Sequence, residues 1–162
     1  MAIAYLGLGS NKRPEDNLRL CVRELRQRFS VLAISPVYKT KAIGFEGSDF
    51  LNAVACIETQ LSPADICQQL DEIHVLSGRE RGESAFMSRT LDIDLLLYDD
   101  LIIDKPPVRV PRDDVLDYAF VLGPLAEIAP GYVHPTTGKS IDAHWAEFES
   151  GPDLLRKYDL DL

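Results

Sequence analysis

Hydrophobic residues recur in the first half of the chain with the periods of strands and helices. Residues 2–9 form an apolar run that ends in glycine, which predicts a strand followed by a turn. Pro14 can begin a helix, and the apolar residues after it recur every three or four positions. The predicted buried face of this helix consists of Leu18, Cys21, Val22, Leu25 and Phe29. A second strand is predicted over 31–39, with Pro36 at an edge or bulge, and a third over 50–58.

The second half continues with helix and strand signals in alternation. Ser62 is a predicted N-cap with Pro63 in the first helical position, and Gly78 ends that helix. A strand is predicted over 91–98, and Asp99-Asp100 forms a turn after it. The remaining predicted segments are a short strand at 101–103, an extended stretch through Pro106, Pro107 and Pro111, a helix over 120–129 and a helix over 141–148.

The order of these elements predicts the fold class. Strand, helix, two strands, helix and strand follow one another, with additions at the C-terminal end, which matches a β-α-β-β-α-β unit. We therefore expect an α+β, ferredoxin-like fold in which helices pack on an antiparallel sheet. No linker or repeat divides the sequence, so residues 1–162 are expected to form one domain.

Composition narrows the classes of protein. The chain has 162 residues, is 46% hydrophobic and 27% charged, and carries a formal net charge of −9. This acidic balance argues against a general nucleic-acid or anionic-membrane binder, which needs clustered Lys and Arg. Three cysteines without metal-ligand spacing, and the lack of a long apolar run, predict a reduced cytoplasmic protein. We expect a monomer.

Asp92 and Asp94 are the most informative pair in the chain. Residues two apart in a strand share a face and lie about 6.6 Å apart along it. Both aspartates are therefore expected on one face, with Leu91, Ile93, Leu95 and Leu97 on the other. Neighbouring carboxylates repel each other, and a hard divalent cation such as Mg²⁺ removes that cost. The alternative is a solvated polar strand face.

Three arginines upstream favour the metal and phosphate interpretation. Arg79, Arg81 and Arg89 lie in a polar segment that leads directly into the aspartate strand. Residues 79–90 carry three Arg and two Glu, a local charge of only +1. Anion binding there must depend on the placement of the arginines and on metal ions.

Several motifs in order resemble one known family. The opening strand ends in Gly9-Ser10-Asn11, and the final motifs include Phe120-Val121-Leu122. Between them the matching segments are Tyr38-Lys39-Thr40, Ile43-Gly44, Phe50-Leu51-Asn52-Ala53, Gly78-Arg79 and Arg89-Thr90-Leu91-Asp92-Ile93-Asp94. Together they resemble 6-hydroxymethyl-7,8-dihydropterin pyrophosphokinase of folate biosynthesis, over nearly the whole chain.

The resemblance implies an ATP-dependent enzyme. Such an enzyme transfers the two terminal phosphates of ATP, as one group, to the hydroxymethyl oxygen of a reduced pterin and leaves AMP. Asp92 and Asp94 would hold two Mg²⁺ ions, and Arg79 and Arg89 would act on the phosphates. The positions implied to contact ATP are Asp71, His74, Arg81, Leu95 and Arg112.

The resemblance also implies a pterin site. The matching positions are Thr40, Ile43, Phe50, Asn52 and Phe120. Phe50 and Phe120 can cover the faces of a flat heterocycle, and the Asn52 amide can meet its ring donors and acceptors. In isolation, each of the two phenylalanines is also typical of a core.

Departures from the family pattern leave a second interpretation open. His74 stands where a Glu is usual, and Asp71 where a Gln is usual. The usual Val-Pro-His reads Val110-Pro111-Arg112, Tyr118 stands where an Arg is often found, and Phe86 replaces a Trp. Most of these positions belong to the ATP side. The alternatives to an active enzyme are a pterin-binding paralogue with weak or no kinase activity and, with less support, a metal-dependent nucleotidyltransferase.

Overall fold

Eight strands and five helices make up the described part of the protein. A computed structural model describes residues 1–41, 47–78, 91–149 and 155–162. The strands are β1 (Ala2–Ser10), β2 (Ser30–Ile34), β3 (Val37–Thr40), β4 (Phe50–Thr59), β5 (Asp92–Tyr98), β6 (Ile103–Lys105), β7 (Val108–Val110) and β8 (Arg156–Tyr158). The helices are α1 (Pro14–Arg28), α2 (Pro63–Leu76), α3 (Asp114–Asp117), α4 (Ala119–Ile128) and α5 (Ile141–Glu147).

The main sheet has six antiparallel strands, and β1 and β4 both lie in its interior. Its order is β5-β1-β4-β3-β8, and β2 pairs with the far end of β4. With β2 and β3 counted as one interrupted strand, this is the β-α-β-β-α-β arrangement. The predicted ferredoxin-like fold is confirmed.

Helices cover both faces of the sheet. Ala4, Leu6 and Leu8 of β1 pack against α1 and α2 in one core, whereas Tyr5 belongs to a second core with α4 and α5. β4 is buried from Leu51 to Ile57 and again at Thr59, because it is central and covered on both faces. The predicted stripe of α1 lies in the first core.

The predicted strand over 31–39 is two strands. Ser35 and Pro36 interrupt it, and a register irregularity lies between Val31 and Ala33. Pro36 has no N–H to donate to the sheet. The Ser35 hydroxyl instead accepts a hydrogen bond from the Val54 amide at 2.9 Å, which keeps the interrupted segment attached to β4.

The segment after β5 differs from the prediction. The turn at Asp99-Asp100 is confirmed, but Leu101 and Ile102 still belong to the connection, and the strand begins at Ile103. Residues 103–110 form a hairpin of β6 and β7 rather than a simple extended stretch. The short elements α3 and β8 were not predicted, because four and three residues are too few to show a period.

A bulge changes the face of Leu97. Ile93 and Leu95 pack in the first core as predicted, but Leu97 packs in the second core. The β1–β5 register shifts between Tyr5 and Leu6, so that Tyr5 lies opposite Leu97 and Leu6 opposite Leu95. The prediction for Leu97 is therefore wrong, because the extra residue inverts the alternation beyond the aspartates.

Gly123 of α4 provides a test of packing in the second core. A Cβ on Gly123 would lie 2.6 Å from Leu155 Cδ1 and 3.0 Å from the Trp145 ring. Gly→Ala within a helix normally stabilises by about 1 kcal/mol. Here we expect Gly123→Ala to lower the free energy of unfolding by about 1–3 kcal/mol, measured by urea denaturation, because the Trp145 ring is rigid.

The matched control is Gly131→Ala, since no atom of the described residues other than its chain neighbours lies within 4 Å of a Cβ placed there. It is expected to change the free energy of unfolding by no more than about 0.5 kcal/mol. A Gly123→Ala protein as stable as the unmodified chain would contradict the tight packing of α4 on Trp145.

Candidate active site

A cavity of about 370 Å³ opens on the face of the sheet that carries α4. Its floor is formed by β1, β4 and β5, and its side by the segment from Arg112 to Val121. The side chains with chemical functions along its wall are Thr40, Lys41, Phe50, Asn52, Asp92, Asp94, Arg112, Asp114, Tyr118 and Phe120. Predicted metal and pterin residues therefore meet in one place.

The two aspartates of β5 lie beside two glycines of the neighbouring strand β1. Gly9 lies opposite Asp92 and Gly7 opposite Asp94 in the β1–β5 register. Asp92 and Asp94 are partly buried, and both line the cavity. Because glycine has no side chain, Asn52 Oδ1 can approach β1 closely at Gly9, and the end of Leu96 can do so at Gly7.

Arg112 is the cation closest to this pair among the described ion pairs. Its Nη1 lies 3.7 Å from Asp94 Oδ1 and its Nη2 lies 3.6 Å from Asp114 Oδ1. Its backbone N–H donates to the Leu96 carbonyl at 3.0 Å, which attaches this segment to β5. Within the described part of the chain, Nε of Arg112 is buried without a hydrogen-bond partner, a state that costs about 1–3 kcal/mol or more for a charged group.

The predicted pterin residues form an aromatic and amide wall. Asn52 Nδ2 donates to Thr40 Oγ1 at 2.8 Å, which orients the amide. The rings of Tyr118 and Phe120 stack with centroids 5.0 Å apart and an angle of 19° between their planes. Phe50 lines the same cavity. Flat apolar surfaces with one oriented amide are suited to a planar heterocycle.

His74 lies behind the aspartate strand. Its Nε2 accepts a hydrogen bond from the backbone N–H of Ile93 at 2.9 Å, and its Nδ1 lies 3.7 Å from Asp71 Oδ1. β5 is an edge strand, so this amide points away from β1 and needs another acceptor. An accepting Nε2 carries no proton, which places the ring proton of neutral His74 on Nδ1, toward Asp71.

Other predicted positions lie elsewhere. Leu95 is 5% exposed and packs in the first core, while Leu96 lines the cavity in the same strand. Asp71 is on the exposed face of α2. Ile43, Arg79, Arg81 and Arg89 lie outside the described residues.

Two cavity residues were missed as site residues from the sequence. Asp114 begins α3, which is too short for a pattern to reveal, and Lys41 follows β3 directly. Tyr118 was identified only as a departure from the family pattern. The signal that could have found Asp114 is its position two residues after Arg112, within a segment already suspected of contacting phosphate.

Cysteine chemistry does not contribute to this site. Burial raises the pKa of the Cys21 thiol far above its usual range. Burial, followed by the nearby charge of Asp71, also raises the pKa of the Cys67 thiol. Both thiols are therefore protonated and weakly nucleophilic at neutral pH. In the ranges that the structure covers, no helix is long and apolar enough to cross a membrane.

Comparison with known proteins gives one consistent result. A family model described as 7,8-dihydro-6-hydroxymethylpterin-pyrophosphokinase (HPPK) matches residues 5–130. A Haemophilus influenzae 2-amino-4-hydroxy-6-hydroxymethyldihydropteridine pyrophosphokinase is 37% identical over 141 residues, covering 85% of this chain and 88% of its own length. The protein of the same name from Synechocystis is also 37% identical over 141 residues, covering 85% of this chain and 72% of its own length.

Solved structures support the fold. The Plasmodium falciparum HPPK-DHPS structure with pterin and p-hydroxybenzoate matches with a TM-score of 0.77 at 13% identity, covering 96% of this chain and 46% of the larger one. The chain thus spans less than half the length of that protein. At this identity the similarity concerns the fold alone.

The contact between His74 and Ile93 can be tested directly. His74→Ala removes the acceptor for an edge-strand amide, so we expect the Ile93 amide to exchange with solvent at least about fivefold faster, with about 1 kcal/mol lost from the free energy of unfolding. Hydrogen exchange followed by NMR measures the first effect and urea denaturation the second.

Val75→Ala is the control, because Val75 is the next residue of α2 and is 70% exposed. It should leave exchange at Ile93 unchanged. Equal protection of Ile93 in the His74→Ala protein would show that this hydrogen bond does not hold β5.

Proposed function

The chain belongs to the 7,8-dihydro-6-hydroxymethylpterin-pyrophosphokinase family, and we propose that it transfers pyrophosphate from ATP to the hydroxymethyl group of 6-hydroxymethyl-7,8-dihydropterin, giving AMP. The observation that carries this assignment is the meeting of two unlike sets of residues in one cavity. Asp92 and Asp94 supply carboxylates, and Phe50, Asn52 and Phe120 supply the aromatic and amide wall. A nucleotidyltransferase would need the carboxylates, but it would not need the aromatic and amide wall.

We assign the metal role to Asp92 and Asp94. Their oxygen donors fit Mg²⁺, which is commonly held by one or two carboxylates together with substrate phosphates. Two Mg²⁺ ions bound with ATP would neutralise charge on the phosphates that react.

The pterin is expected to lie against the wall opposite the aspartates. Phe50 and Phe120 would cover its ring faces, and Tyr118 extends the stacked surface of Phe120. The Asn52 Nδ2 is occupied by Thr40, which leaves the Oδ1 atom beside Gly9 for a ring donor. Ile43 completes the proposed pterin set on the basis of the family resemblance alone.

The phosphates of ATP are assigned to arginines. Arg79 and Arg89 match family positions that act on the phosphates, and Arg81 is added as an ATP contact from the same resemblance. Guanidinium groups bind phosphate oxygens in a bidentate manner and can stabilise charge that develops during transfer. Of the other positions proposed for ATP, Arg112 lies in the cavity, whereas the geometry of His74 and Asp71 favours support of β5.

We further propose that the protein acts as a cytoplasmic monomer without nucleic-acid or membrane partners. Its net charge of −9 and its pI near 4.7 disfavour binding to polyanions. All three cysteines are free, which suits a reducing compartment.

The decisive experiment is AMP formation from ATP and Mg²⁺ with and without 6-hydroxymethyl-7,8-dihydropterin. The proposed enzyme forms AMP only when the pterin is present. Pterin binding without AMP would favour a binding paralogue. Nucleotide turnover that is the same with and without the pterin would favour a nucleotidyltransferase.

Asp94→Asn tests the metal assignment. The change keeps the size of the side chain but removes its charge, so AMP formation should fall by about 100-fold or more while pterin affinity stays close to that of the unmodified protein. Asp104→Asn is the control, since Asp104 is 82% exposed on the β6–β7 hairpin and pairs with Arg109 at 3.9 Å. Normal turnover by Asp94→Asn would refute the role of Asp94.

Gly9→Ala tests the pterin wall. The new Cβ would lie 3.1 Å from Asn52 Oδ1, so the amide must shift, and pterin affinity measured by calorimetry should fall roughly 3- to 10-fold. Gly7→Ala is the matched change on the same strand face and in the same cavity, where the three nearest atoms to the new Cβ belong to Leu96, at 3.3–3.6 Å, and not to Asn52. Equal losses in both variants would indicate a general effect on β1 rather than on Asn52.

A further inference from the structure

Arg112 places a positive charge beside the carboxylate of Asp94. The guanidinium is 3.7 Å from the Asp94 carboxylate and 3.6 Å from that of Asp114. The three side chains are 35%, 31% and 30% exposed, so water screens these charges only in part. A positive charge of the protein itself thus stands at the carboxylate to which the proposed function gives a magnesium ion.

The guanidinium is shared between the two carboxylates and is held loosely by each. Both contacts exceed the 2.7–2.9 Å that is typical of a charge-assisted hydrogen bond between nitrogen and carboxylate. Nε is buried and lacks a partner in the described ranges, while the backbone is fixed to Leu96. The end of the side chain can therefore change partner without moving the main chain.

We propose that Arg112 is the resident counter-cation of Asp94, and that a divalent cation must displace it in order to bind. Two cations at one carboxylate repel each other, so the guanidinium released from Asp94 turns to the anionic phosphates that arrive with the metal. The inference deepens the proposed function and rests on it for the identity of the cation and of the phosphates. Arg112 then lowers the affinity for metal in the absence of nucleotide.

A purely structural role gives a different expectation. Arg112 would then only hold α3 to β5 through Asp114 and Asp94, and its loss would lower stability without changing the affinity for metal. The affinity for a divalent cation without nucleotide therefore separates the two roles.

The test is Mn²⁺ binding, followed by the electron paramagnetic resonance signal of free Mn²⁺, with no nucleotide or pterin present. Mn²⁺ accepts the same carboxylate and water ligands as Mg²⁺. Arg112→Gln should bind Mn²⁺ roughly 3- to 10-fold more tightly than the unmodified protein, the range expected for loss of a partly exposed ion pair.

Two further variants serve as controls. Arg109→Gln removes an arginine from the same segment that pairs with Asp113 at 3.0 Å and does not line the cavity, so Mn²⁺ affinity should stay within about twofold. Arg112→Lys keeps the charge and should also stay close to the unmodified protein. Circular dichroism verifies folding, and Arg112→Met replaces the Gln variant if the latter is unfolded.

Two results would overturn the inference. One is an unchanged or weaker Mn²⁺ affinity in the neutral variant, and the other is equal tightening by Arg112→Lys, which would exclude charge as the cause. AMP formation by the unmodified protein, measured separately, reports on the proposed function. Pterin-dependent AMP formation with an unaltered Mn²⁺ response refutes the inference alone, whereas tighter Mn²⁺ binding without AMP formation refutes the function alone.

Discussion

The absence of side chains at Gly7 and Gly9 is the constraint on which the site depends. Both residues lie on β1, between β4 and β5. A Cβ at Gly9 would lie 3.1 Å from Asn52 Oδ1, and one at Gly7 would lie 3.3 Å from the side chain of Leu96. Because neither glycine has a side chain, Asn52 of β4 and Leu96 of β5 can lie close against β1. The carboxylates of β5 and the amide of β4 therefore line one cavity.

The sequence predicted the parts of the fold that obey a regular period. The stripe of α1 and the alternation of β5 as far as Leu95 follow from local pattern, because each side chain is buried by the element that carries it. Leu97 was placed on the wrong face because the bulge opposite Tyr5 and Leu6 arises from pairing between strands distant in sequence. No local pattern contains that information.

The site could be predicted only in part for a related reason. The motifs identified Asp94, Asn52 and Phe120, which the fold brings to one cavity. They gave no indication that Asp114 joins them, or that Arg112 contacts Asp94. Both features depend on how the segment after β7 is attached to β5 through the Leu96 carbonyl. The role of each site residue remains a prediction that the proposed experiments address.

Two of the departures from the family pattern change where positive charge lies in the cavity. The cation often found before the stacking phenylalanine is replaced by Tyr118, which instead extends the aromatic wall through its stack on Phe120. The position usually occupied by His carries Arg112, which brings a guanidinium into the cavity beside Asp94. In a protein with a net charge of −9, that guanidinium places a positive group next to the carboxylates that we propose bind the metal.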